Sequence, residues 1–225
     1  AYDPPERGWA TQDKPITFAF GGAVGAQGRA GWTEFVEAVG LSHMLDDPRY
    51  AIRHIRLPVG IPLLLVAVHL PSKLHGEEYD RYHCVRLLRH DVTNAEKKFG
   101  HQNTVILGDF NLDPFEQPMV AADALHAMMD KDVVARLSRK VRGTTWDFFY
   151  NPMWSRLGDE SEGPPGTYFY RDSGVVAQFW HMFDQILLRP GLLTRYRPGD
   201  VRVVSHVGGQ PILNHQAGRD GHPDH

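Results

Sequence analysis

Cysteine is almost missing from this sequence. Cys84 is the only one among 225 residues, so no disulfide can form within the chain, and a reducing compartment, the cytoplasm, is the expectation. Long apolar runs are missing too: no stretch approaches the roughly 20 residues that a spanning helix requires. Nor is there an excess of one charge sign, since 24 Lys and Arg stand against 27 Asp and Glu, a net −3 with neutral histidines. That balance gives no general pull toward nucleic acid. A local patch survives it, because Arg136, Arg139, Lys140 and Arg142 put four cations in seven residues ahead of Gly143; they serve equally well as a solvated helix end suited to the C-terminal dipole. No internal repeat is visible.

What is present is enough apolar material for a core, 42% of the residues, with no linker to divide it. The reading is one domain over residues 1–225, with strands and helices alternating in an α/β pattern. Ile61 to Val68 is uniformly apolar, which predicts a strand covered on both faces. Glu77 to Phe99 carries Val85, Leu88, Val92, Ala95 and Phe99 at helical spacing, with Gly100 as a natural stop and Cys84 as a buried structural thiol. Helical spacing of Met119, Val120, Ala124, Leu125 and Met128 predicts a second helix from Met119 to Met129. Strands are expected at Thr144 to Tyr150, Thr167 to Tyr170, Phe183 to Leu188 and Val201 to Ser205. Gly158 to Gly166 reads as a surface loop, with Trp146, Trp154, Tyr168, Tyr170 and Trp180 clustered around it. His101 falls in a polar turn, where alanine should be silent.

The chemistry concentrates in Val105 to Pro114, VILGDFNLDP. Thr104 to Leu107 is β-branched and apolar, as a buried strand should be, and Gly108 permits an unusual turn or a close approach. In extended chain Asp109 and Asn111 point the same way, one able to polarise a water or hold a metal, the other to hydrogen-bond an oxyanion, while Phe110 turns into the core. Asp and Asn also favour turns for purely local reasons. Other polar groups at the mouths of apolar runs raise the segment above that reading. His69 ends the Ile61 to Val68 run, with Ser72 and Lys73 following as anion contacts; Asp184 opens the run Ile186 to Leu188; Asp224 and His225 close the chain. If the strand after Asp184 is antiparallel to the others, Asp184 comes to the same edge as Asp109.

With His69-Leu70-Pro71-Ser72, Gly108-Asp109-Phe110-Asn111, Asp184-Gln185 and Asp224-His225 in this order, the chain resembles the endonuclease/exonuclease/phosphatase superfamily of DNase-like phosphoesterases. The resemblance implies a four-layer α/β sandwich of two packed mixed β-sheets flanked by helices. It implies that Asp109 activates or orients the attacking water, that Asn111 binds nucleophile or phosphate, and that His225, oriented by Asp184, contacts the scissile phosphate. His69 becomes a second phosphate-facing imidazole and Asp224 joins Asp109 at the metal. Magnesium is the expected cation, with manganese as its substitute, because the ligands are hard oxygens. The expected substrate is a phosphate ester, nucleic acid first and lipid or inositol phosphates next.

Two features of the family pattern are not met. No asparagine precedes Asn94, and the early glutamates Glu6, Glu34 and Glu37 do not end an apolar strand, so the family's N-terminal Asn and metal-binding Glu strands are unmatched; the domain is expected to be incomplete at both ends. That motivates a different class of reading, a non-catalytic binding module on the same scaffold. A third is a zinc or dinuclear metallophosphatase using some of the 13 histidines, His206, His215, His222 and His225 foremost.

Overall fold

The computed structural model describes residues 41–56, 60–72, 78–171, 173–175, 177–207 and 210–211. Within these the chain runs β1 (Leu41–Asp47), β2 (Tyr50–Ile55), β3 (Leu63–His69), helix α1 (Glu78–Phe99) and β4 (Thr104–Asp109), then α2 (Gln117–Val120), β5 (Ala127–Met128) and α3 (Lys131–Val134). Next come β6 (Ser138–Val141), β7 (Thr144–Asp147), β8 (Phe149–Tyr150), β9 (Tyr168–Phe169), β10 (Trp180–His181), β11 (Asp184–Leu188), β12 (His206–Val207) and β13 (Gln210–Pro211). Seven of these strands make one mixed sheet in the order β1-β2-β3-β4-β11-β8-β5, and β6-β7, β9-β10 and β12-β13 pair off separately. The architecture is α/β.

The centre of the sheet follows from the two apolar runs. β3 and β4 lie parallel, a pairing that needs a crossover rather than a hairpin, and α1 is that crossover. Its Cys84, Val85, Leu88, Val92 and Ala95 are buried against Leu64, Val66 and Val68 of β3 and Ile106 of β4, as the helical spacing predicts; each such side chain contributes roughly 1.5–3 kcal/mol. Gly100, with a φ of 70°, ends the helix and its N–H returns to the Glu96 carbonyl at 2.9 Å. Cys84 is 2% exposed, and burial raises its thiol pKa. The other face of the sheet is thinner. There Leu65 is buried, but Leu63, Ala67, Val105 and Leu107 are half-buried, so coverage of β3 on both faces is only partial among the described residues.

A buried ion pair joins α1 to the end of β11. Arg189 donates from Nε and Nη2 to the two Glu96 oxygens at 2.8 and 2.9 Å and from Nη1 to the Phe148 carbonyl at 2.9 Å. Thr104 Oγ1 adds a donor to the same carboxylate at 2.6 Å. Both charged side chains are nearly inaccessible, at 1% and 3%. Neither residue stands out in sequence.

Several expectations need correction. The helix expected over Met119 to Met129 is a single turn, α2, followed by turns and β5; His126 takes a φ of 52°, which ends any helix there. Met119, Ala124 and Leu125 are buried all the same, so the apolar spacing reflects core contact in a folded-over loop. The strand expected from Thr144 to Tyr150 is two strands in two sheets, β7 and β8, broken at Phe148. The stretch Val201 to Ser205 is irregular, with the paired strands coming just after it. Of the four cations before Gly143 only Arg136 lies at a helix end, just past α3; Arg139, Lys140 and Arg142 sit in or at the turn of the β6-β7 hairpin. Trp146 lies apart from the aromatic group, beside Arg89 at 5.5 Å. His101, in the turn before β4, has its ring 5.4 Å from that of His54.

His126 gives an acid-sensitive element. It is fully buried, accepts at Nε2 from Arg139 Nε at 2.8 Å and lies 3.3 Å by Nδ1 from the Asp147 carbonyl, a pattern that suits the neutral ring protonated on Nδ1. Burial, with the charges of Arg139 and Arg89 behind it, lowers its pKa from 6.5 to about 4. Between those values the unfolded chain binds the extra proton and the folded one does not, so stability falls as pH drops through this window, by about 3 kcal/mol in full. Urea unfolding at pH 7 and pH 4 should show that loss in the wild type and a loss smaller by about this amount in His126→Asn, which tolerates the positive φ. Equal pH dependence in the two would refute the assignment.

Candidate active site

The C-terminal ends of β3 and β4 and the N-terminal end of β11 meet at one edge of the sheet. His69 is the register partner of Asp109 across the parallel pair, and Asp184 is its partner across the antiparallel pair. Residues in register share a face, so the three side chains leave the sheet together, on the face opposite α1. His69 Nε2 stands 3.8 Å from Asp109 Oδ2, with the imidazole more exposed than the carboxylate. Two carboxylates directly opposite each other repel. A cation between them relieves that cost.

Asn111 reaches Asp109, though not as extended chain would carry it. β4 stops at Asp109, and Asn111 sits in the left-handed region at φ 49°, one of the few residue types that does so readily. Its backbone N–H donates to Asp109 Oδ1 at 2.8 Å, and its Nδ2 donates to Asp109 Oδ2 at 3.1 Å and to the Leu70 carbonyl at 2.9 Å. The carboxamide therefore locks the carboxylate and ties this loop to the chain after β3. Gly108 is required for a separate reason: at φ 132° a Cβ there would run into the Val68 carbonyl oxygen of the neighbouring strand. Phe110 is fully buried, as expected.

Behind this edge lies a polar brace that sequence reasoning did not find. Gln185, 2% exposed, donates to the Leu112 carbonyl and accepts from Nδ2 of the fully buried Asn151 at 2.7 Å. Thr167 Oγ1 accepts from the backbone N–H groups of Phe183 and Asp184 at 3.1 and 3.0 Å. Asp113, 1% exposed, accepts from the Met182 N–H at 2.9 Å and pairs with His181 Nδ1 at 2.7 Å. The sequence signal for these residues is that Asp113 lies two residues past the GDFN block and Gln185 follows Asp184.

Of the residues singled out in the sequence, the fold thus brings together His69, Asp109, Asn111 and Asp184. Ser72 is half-buried just past the end of β3. Lys73, Asp224 and His225 lie outside the described residues, as do Glu6, Glu34, Glu37, His215 and His222; His206 is in β12. Among the described residues no three His, Cys, Asp or Glu side chains form a group able to hold a metal ion, and no helix is long and apolar enough to cross a membrane. Of the expected metal ligands Asp109 is described, its carboxylate a hard oxygen donor, and magnesium characteristically takes one or two carboxylates and keeps several waters. The donor set fits magnesium in kind.

No protein-family model matches the chain, and no curated protein matches it. Among solved structures, the human Nocturnin catalytic domain with bound sulfate anion is similar to it, at 16% identity and a TM-score of 0.39 over 67% of this chain. The chain spans 45% of the length of that structure's chain.

Proposed function

We propose that this protein is a divalent-metal-dependent phosphoesterase of the endonuclease/exonuclease/phosphatase type, hydrolysing a phosphodiester, with nucleic acid as the leading substrate class. The observation that carries the reading is the in-register meeting of His69, Asp109 and Asp184 at one sheet edge, with Asn111 folded back onto the central carboxylate. A four-layer sandwich accords with the half-buried face of β3 and β4, on which a second sheet would pack.

Hydrolysis of a phosphodiester gains most from a positioned water and from fixed donors and positive charge around the phosphoryl oxygens. Asp109 is the group that orients the water. Asn111 holds that carboxylate in a single rotamer by donating to both of its oxygens, so the acceptor is aimed before substrate arrives. His69, the more exposed of the pair, faces the phosphate. Asp109 would hold magnesium together with Asp224, with Asp184 orienting His225, and the metal, when bound, would supply Lewis acidity and charge neutralisation. His225 is assigned to the phosphate by the same reading.

The test uses the full chain with magnesium and two probes, bis(4-nitrophenyl) phosphate and 4-nitrophenyl phosphate. Release of nitrophenolate from the diester should exceed that from the monoester, cease with EDTA and return with magnesium. No turnover of either probe, or turnover indifferent to EDTA, would overturn the proposal. Stoichiometric, tightly held zinc in the purified protein would favour a metallophosphatase instead.

A further inference from the structure

We propose that His181, fixed by the buried Asp113, is an additional oxyanion-binding group of this site, donating from Nε2 to a phosphoryl oxygen of the ligand. The inference takes its ligand class from the phosphoesterase reading; the geometry of the pair stands independently.

Asp113 is built into the loop that carries Asp109 and Asn111. Its own N–H donates to Glu116 Oε1 at 2.8 Å, which closes a turn, and one carboxylate oxygen is held by the Met182 N–H. The other faces His181 Nδ1 at 2.7 Å. An ionised carboxylate only accepts, so the shared proton belongs to Nδ1, and Nε2 is left on the opposite edge of the ring. The Asp113 side chain is 1% exposed and that of His181 is 18% exposed. The imidazole thus keeps some access to solvent, whereas its carboxylate partner has almost none.

The pair is joined to the Asp109 edge through the backbone. His181 stands three residues before Asp184 and Asp113 four after Asp109, and the two segments are tied by the Phe110 N–H donating to the Phe183 carbonyl at 2.8 Å. His181 stacks on Phe183 at 4.7 Å and Phe183 on Tyr168 at 5.3 Å, a wall of three rings along the site. Burial raises the Tyr168 phenol, with the charges of Tyr170 and Asp109 adding to it. Burying an unpaired carboxylate is costly, so each member of the pair fixes the other.

The experiment measures binding of inorganic phosphate to the magnesium-loaded full chain by calorimetry, for the wild type, His181→Phe and His181→Gln. Phenylalanine keeps the ring stack and loses the donor; glutamine keeps a donor. Loss of one charge-assisted hydrogen bond should weaken phosphate binding about tenfold in His181→Phe, with His181→Gln recovering part of it. Unchanged affinity in a folded His181→Phe overturns the inference, and so does a wild type that binds no phosphate. If His181→Phe fails to fold, the side-chain Nε2 resonance of His181 in the 15N-labelled wild type decides: it should move on phosphate addition, and a fixed resonance refutes the assignment. Nitrophenolate release on the same samples separates the two readings. Phosphate binding that depends on His181 without turnover leaves the oxyanion site and removes the phosphoesterase, whereas turnover with unchanged phosphate affinity in His181→Phe does the reverse.

Discussion

Asp109→Asn lowers magnesium-dependent diester turnover by about 10²–10⁴-fold, the range for loss of a positioned proton acceptor, without unfolding the protein. The carboxamide oxygen can still accept one of the two Asn111 bonds. Removing one charge also relieves the repulsion from Asp184, its partner across the sheet, so the unfolding free energy should change by no more than about 1 kcal/mol. Full turnover in the variant, or a loss of turnover that merely follows loss of folded protein, would refute the role of Asp109. His225→Ala should lower turnover in the same way if the terminal imidazole faces the phosphate. Steady-state kinetics alongside a thermal melt separates these outcomes, because a group acting on the transition state lowers kcat and kcat/KM together.

Glu96→Gln has the largest expected effect on stability, about 3–5 kcal/mol of destabilisation. Arg189 would keep its charge at 1% exposure with no counter-charge, held by one carboxamide oxygen, the Phe148 carbonyl and the Phe149 ring, 3.9 Å from its guanidinium. For a domain of this size that is a fall in melting temperature of roughly 10 °C. Arg189→Met alone should cost a similar amount, by stranding the carboxylate. Replacing both, Glu96→Leu with Arg189→Met, should return most of the loss, since a well-packed apolar pair avoids the desolvation of two ions. A single variant within about 1 kcal/mol of the wild type would show that water reaches the pair. Because Glu96 is on α1 and Arg189 follows β11, this bond closes the layer between helix and sheet far from the candidate site.

How far such features are legible in sequence depends on whether their contacts are local. The α1 stripe of Val85, Leu88, Val92 and Ala95 was legible because helical periodicity alone aligns it, and the same residues meet β3 and β4. The β4 run and the turn after it were legible for the same reason. Met119, Ala124 and Leu125 misled because core contact around a turn can imitate helical spacing, and the positive φ of His126 is not written in any breaker residue. Arg189 and Glu96 were invisible because their pairing spans 93 positions.

The alignment of His69, Asp109 and Asp184 was readable only as a conditional: each ends or opens an apolar run, and an antiparallel β11 would bring them together. By itself the amino-acid order determined which residues could do chemistry and the faces of the long elements, since both follow from alternation and helical repeat within a few residues. Strand register and the pairing of His181 with Asp113 across 68 positions were decided only in three dimensions. Each depends on backbone hydrogen bonds and burial between segments that have no local reason to meet.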